Sequence, residues 1–92
     1  MQDIQKLRKR IDELDEQILR LLGERAEISR SIGLLKKEEG MPVTDTYRET
    51  EVYSNIKKKA PDFGLDADQV EAIYRQIINM CISVQEPKET AE

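Results

Sequence analysis

Ninety-two residues are enough for one domain, and a chain this short is only marginally able to stabilise itself alone. Charged residues make up 37% and hydrophobic residues 38%, and 15 basic against 19 acidic side chains leave a net charge of −4, which gives no overall basic field for a phosphate backbone. No histidine is present, which removes imidazole bases, Ser-His and Cys-His nucleophiles and His metal sites, and one cysteine excludes an intrachain disulfide or a multi-Cys zinc cluster.

Apolar residues recur from Ile4 in alternating three- and four-residue steps through Leu7, Ile11, Leu14, Ile18 and Leu21, then Ile28, Ile32 and Leu35. This is a heptad seam, and no proline interrupts it before Pro42. Gly23 and Gly33 weaken local propensity without ending the pattern, and Glu39-Gly40-Met41-Pro42 is a strong stop signal. The spacing predicts a first helix over about 3–39. Met41–Asp45 reads as a loop, and Thr46 with Glu49 reads as a capping box opening a second helix over about 46–59, with Val52, Tyr53 and Ile56 facing inward. A connector, Ala60–Gly64, leads to a third helix over about 66–85, capped by Asp66 with Gln69 or Asp68 with Glu71. Val70, Ile73, Ile77, Cys81 and Val84 are its expected buried stripe, and 87–92 reads as a frayed tail. The expectation is an all-α single domain over 1–92.

The first helix, at ~1.5 Å per residue, is on the order of 50 Å long. A compact monomer of this size has a radius of gyration of about 12 Å and a diameter of about 30 Å. Two short helices cannot sheath the whole seam, and the exposed remainder would be a large apolar patch. A homodimer of entwined helices removes it. The alternative is a helix that bends or breaks at Gly23 or Gly33 to form a monomeric bundle.

Of ten seam positions from Ile4 to Leu35, nine hold Ile or Leu and the tenth holds Arg25. Burying a guanidinium without a partner is expensive, so Arg25 needs an acidic companion or an anionic ligand. Lys36 lies eleven residues further on, about three turns, and projects on nearly the same face, with the small Ser29 between them. Arg8 shares the flanking heptad column of Ser29 and Lys36 but stands seventeen residues, or about 25 Å, from Arg25. It can join Arg25 only from the other subunit of an antiparallel pair, and otherwise is a surface charge. Arg48 opens the second helix where a cation is unfavourable, so it needs a compensating partner, and Glu49 is either a capping carboxylate or a site residue. Cys81 and Gln85 are one turn apart on the third helix and face the same way. Cys81 alone reads as a small core residue, since no histidine can activate it.

The joint order Leu7-Arg8-x-x-Ile11-Asp12-x-Leu14-Asp15, Glu24-Arg25, Lys36, Pro42-Val43-x-Asp45-x-x-Arg48-Glu49 and Gln85 resembles the all-helical (AroQ-class) chorismate mutases over roughly residues 4–86. The resemblance implies an entwined homodimer of three-helix subunits that converts chorismate to prephenate, the committed step toward phenylalanine and tyrosine. It implies substrate binding by Arg8 from the partner subunit and by Arg25, Lys36, Asp45, Arg48, Glu49, Cys81 and Gln85. Arg8 and Arg25 would take carboxylate, with Arg48 in support. Lys36 and Gln85 would address the ether oxygen, making them with Arg25 the catalytic set. Glu49 and the Asp45 backbone would receive the ring hydroxyl. Cys81 stands where the family often has a serine, and a thiol is a weaker donor.

The rearrangement is intramolecular and pericyclic, so the lack of histidine is no handicap, and no metal or cofactor is expected. The same fold and cationic site could instead serve an isochorismate pyruvate-lyase, which lacks the glutamate at the position of Glu49. A mutase acting on the 4-amino analogue is a further variant. A non-catalytic dimerisation module would pair Arg25 with an internal carboxylate and leave no anion pocket. With four aromatic residues for base stacking and no stretch long enough for a signal or membrane span, neither nucleic acid nor membrane is an expected partner. The lone Cys81 suits a reducing compartment, and the expected location is cytoplasmic.

Overall fold

The computed structural model describes residues 3–85. The expected tail at 87–92 lies outside them. Three helices carry the chain: α1 (Ile4–Glu39), α2 (Thr46–Lys59) and α3 (Ala67–Gln85), with a 3₁₀ turn (Ala60–Phe63) between α2 and α3. Among the described residues there is no strand.

Each boundary has a local cause. Asp3 caps α1 by accepting the Gln5 N–H at 3.0 Å. Gly40, in the left-handed region at φ +70°, closes the helix by donating its N–H to the Lys36 and Lys37 carbonyls, while the Met41 N–H reaches the Lys36 carbonyl at 2.8 Å. Lys36 and Lys37 in the last turn match the negative end of the helix dipole. The cap of α2 differs from the capping box expected at Thr46. Asp45 is the cap, accepting the Arg48 N–H at 3.0 Å, and Thr46 is the first helical residue. With Asp45 as the cap the third helical residue is Arg48, which leaves Glu49 outside the capping box. A 3₁₀ turn, with Pro61 in its first turn, forms in what reads as plain connector, and Gly64 at φ +72° ends it. Asp66 then caps α3 through the Gln69 N–H at 2.9 Å.

α1 passes through Gly23 and Gly33 unbroken, so the broken-helix alternative does not hold. The molecule extends 58 Å along its longest axis with a radius of gyration of 16.8 Å, well above the ~12 Å of a compact chain of this size. α3 packs against both α1 and α2. The α1 face that meets it is not the heptad seam. It is an adjacent stripe of small or polar residues that includes half-buried Ala26 and buried Ser29 and Gly33. All nine seam aliphatics are exposed, from 39% at Leu14 to 63% at Ile4, Leu21 and Ile28. On α3, Ile78 and Cys81 are the buried residues, whereas Ile73, expected inside, is 59% exposed. The buried stripe is rotated toward Ile78 because α3 covers a narrow stripe of α1 rather than its seam. With Ala60, Ile78 and Cys81 as the buried apolar residues, this chain has almost no core of its own.

An ion network ties α2 to α3. Lys57 lies 3.1 Å from Glu71 and 3.6 Å from Asp68, Arg75 also pairs with Glu71, and Arg75 sits 4.7 Å over the Tyr53 ring. The hydrogen bond from Lys57, followed by that from Arg75, holds the Glu71 carboxyl below its usual range, and Glu71 in turn raises Lys57. A carboxyl whose folded pKa is depressed stabilises the fold above the ordinary glutamate pKa and loses that contribution as pH falls through it. Glu71→Gln should therefore be less stable than wild type in urea unfolding at neutral pH, with the difference vanishing in acid. A gap that persists in acid would contradict the charge-based origin.

Candidate active site

Where α1, the Val43 loop, the start of α2 and the end of α3 converge, a cavity of about 440 Å³ opens. Arg25, Ser29 and Lys36 line it from α1, Val43 from the loop, Asp45, Arg48 and Glu49 from the start of α2, and Cys81 and Gln85 from α3, with Ile28, Ile32, Val52, Ile78 and Ile82 supplying apolar wall. Seven of the eight residues singled out in the sequence thus share one space. Arg8 does not, because it lies far up the exposed N-terminal half of α1.

The two α1 cations are held by neutral groups. Arg25 Nη1 donates to Cys81 Sγ at 2.9 Å. Lys36 Nζ donates to the Val43 carbonyl at 2.8 Å and to Gln85 Oε1 at 3.0 Å. Among the described residues neither cation has a salt bridge to a carboxylate. Arg25 is half-buried and Cys81 is 4% exposed, so the guanidinium lines the cavity beside a buried thiol with no carboxylate paired to it among the described residues. Such a site attracts an anion, and attraction is stronger where water is excluded.

The acidic side chains are occupied differently. The Asp45 carboxylate caps α2. Arg48 has the partner its position demands, Glu51 at 2.6 Å, one turn further on and exposed. Glu49 is half-buried on the cavity wall. Gln85 is oriented by Lys36: with Oε1 accepting from the ammonium, its NH₂ is the part left to donate to a ligand.

Three residues contribute without a distinctive signal in the sequence: Gly33, Ile78 and Ile82. Gly33, one turn before Lys36, is where the end of α3 lies directly on α1. A Cβ built there would stand 2.9 Å from the Cα, Cβ and Cγ of Gln85. The signal of Ile78 and Ile82 is the i, i+4 spacing on α3, shared with any core stripe.

This arrangement of three helices is that of a known family. Residues 7–86 match chorismate mutase type II, and the chain belongs to that family. It is 36% identical over 88 residues to a bifunctional chorismate mutase/prephenate dehydratase of Aquifex aeolicus, which covers 92% of this chain and 24% of that protein. A chorismate mutase of Methanocaldococcus jannaschii is 29% identical over 92 residues, covering 98% of this chain and 93% of that protein. Among solved structures, form II of chorismate mutase from Thermus thermophilus superposes with a TM-score of 0.87 at 30% identity, covering 95% of this chain and 98% of that one. This chain therefore spans about a quarter of the length of the bifunctional relative and nearly all of the Methanocaldococcus one.

The Lys36–Gln85 pair makes a pH-dependent expectation. Gln85→Glu keeps the acceptor toward Lys36 but loses the N–H donors wherever the new carboxylate is ionised, and the neighbouring ammonium favours ionisation. Chorismate turnover by this variant should be confined to acid solution. A pH profile superimposable on that of wild type would mean that the Gln85 amide donates nothing.

Proposed function

We propose that this chain is a chorismate mutase, converting chorismate to prephenate in the route to phenylalanine and tyrosine. The observation that carries the reading is the pair Arg25 and Lys36, two cations in one cavity with no carboxylate of their own among the described residues. Chorismate is a dianion, so it supplies the charge that the protein withholds.

In the reaction the ether C–O bond breaks as a C–C bond forms between the enolpyruvyl carbon and the ring, with no proton transfer and no covalent intermediate. The protein therefore contributes shape and charge. Arg25 takes a substrate carboxylate, held in its rotamer by Cys81, and Arg48 supports carboxylate binding at the cavity edge. Glu49 and the Asp45 backbone receive the ring hydroxyl. Holding the enolpyruvyl arm over the ring offsets the entropy of reaching the reactive conformer. Negative charge grows on the ether oxygen as its bond lengthens, and Lys36 with the Gln85 NH₂ meets it without reorganising.

The same reading includes a homodimer of entwined helices. Nine exposed aliphatics along a 36-residue helix, beside a nearly coreless subunit, support it. In an antiparallel pairing Arg8 of a second copy reaches the Arg25 cavity and holds the substrate from the side this chain leaves open. Among the described residues no helix is long and apolar enough to cross a membrane, and we place the enzyme in the cytoplasm. Glu49 on the cavity wall favours the mutase over isochorismate pyruvate-lyase, and the uncompensated Arg25 disfavours a purely structural module.

Ultraviolet loss of chorismate with product identification tests the activity. Prephenate is expected, whereas pyruvate would assign the lyase and no turnover the structural module. Lys36→Ala should lower turnover ~10²–10³-fold while the fold persists. The dimer is tested by mixing the two inactive variants Arg8→Ala and Arg25→Ala and allowing subunit exchange. One intact site per mixed dimer should restore up to about a quarter of wild-type activity. No recovery despite proven exchange would contradict the shared site.

A further inference from the structure

We infer that Gly33 is a positioning residue for the reaction, acting through Gln85. The inference rests on the mutase reading of the site. Glycine in a helix interior is unfavourable, and no unusual backbone conformation requires it here, since the positive-φ glycines are Gly40 and Gly64. Gly23, the other glycine inside α1, shows what an unconstrained helical glycine looks like, because a Cβ there would meet nothing within 4 Å. At Gly33 the same atom would lie 2.9 Å from three atoms of Gln85, one of them the backbone Cα. A rotamer change can move Cγ, but neither Cα nor Cβ can turn away. Only a shift of the end of α3 relieves the collision.

The size of that shift decides the consequence. Ordinary contact needs a separation greater by on the order of 0.5 Å or more. The Lys36 Nζ–Gln85 Oε1 hydrogen bond is already 3.0 Å long, so an equal displacement takes it to about the outer limit of such bonds. Lys36 cannot simply follow, because the Val43 carbonyl also holds it, at 2.8 Å. The absent side chain at residue 33 thus brings the last turn of α3 close enough for Lys36 to set the direction of the Gln85 amide. Arg25 and Cys81 lie two turns or so further back along α1 and one turn back along α3, and are less affected.

A double-mutant cycle tests this, read in both turnover and melting temperature. Gly33→Ala is expected to lower kcat by about 10- to 100-fold with KM within about threefold of wild type, since the Gln85 donor acts on charge that develops in the transition state. In a Gln85→Ala background, where no amide remains to misplace, the same change should cost less than about threefold. Gly23→Ala, the matched control, should leave kcat unchanged. Equal losses in the two Gln85 backgrounds, or no loss in the wild-type background, would overturn the inference. Melting temperature gives a readout that does not depend on activity. Gly33→Ala should melt lower than wild type or fail to fold, and Gln85→Gly, which removes two of the three colliding atoms, should recover part of that loss. A double variant as damaged as Gly33→Ala alone overturns the close crossing. A wild-type chain inert toward chorismate refutes the mutase reading instead, and the melting cycle still decides the crossing.

Discussion

Arg25 and Lys36 set the terms for the rest of this molecule. Both project from α1 into a space closed by α3 and the start of α2, and both are stabilised by neutral acceptors, a thiol sulfur, a carbonyl and an amide oxygen. A buried or half-buried cation ordinarily draws a carboxylate to itself, since desolvation is otherwise unfavourable. Here Asp45 caps α2 and Glu51 pairs with Arg48, while Glu49, half-buried on the cavity wall, forms no salt bridge to either cation among the described residues. The two cations are thus left with neutral partners, which is the arrangement the proposed dianionic substrate would complete.

The shape of the subunit follows from a division of labour along α1. One stripe, small and polar, accepts α3, and the cavity opens where it borders the seam at Arg25, Ile28 and Ile32; the rest of the aliphatic seam is left to solvent in a single chain. A long helix with two functional faces cannot be satisfied by two short ones, which is why so few apolar side chains are buried within the subunit. Family membership and the close superposition on the Thermus structure fit this frame, in which the fold is a device for presenting cations rather than for enclosing a core.

Much of this was legible in the residues. The seam announced a long helix because its period survives about nine turns, and Gly40-Met41-Pro42 announced its end. Arg25 stood out because it alone broke the seam, and its spacing to Ser29 and Lys36 put all three on one side. Other features depended on facts that periodicity does not carry. Asp45 displaced Thr46 as the cap of α2 because two adjacent residues could serve and side-chain geometry chose between them. Ile78 rather than Ile73 became buried because the contact face of α3 depends on which stripe of α1 it meets, and that stripe, with Ala26, Ser29 and Gly33, is too small and polar to register as a hydrophobic pattern. Gly33 looked like a weakness in a helix until its neighbour from residue 85 was known.

The account is tested most directly by titrating wild type and Arg25→Leu with a non-reacting dicarboxylate analogue of chorismate, with melting temperatures recorded in the same buffer. Leucine completes the apolar seam and removes the uncompensated charge, so the variant should melt no lower than wild type while losing about 10²-fold or more in affinity. A variant that melts far below wild type yet binds the analogue as tightly would show that Arg25 serves the fold and not a ligand.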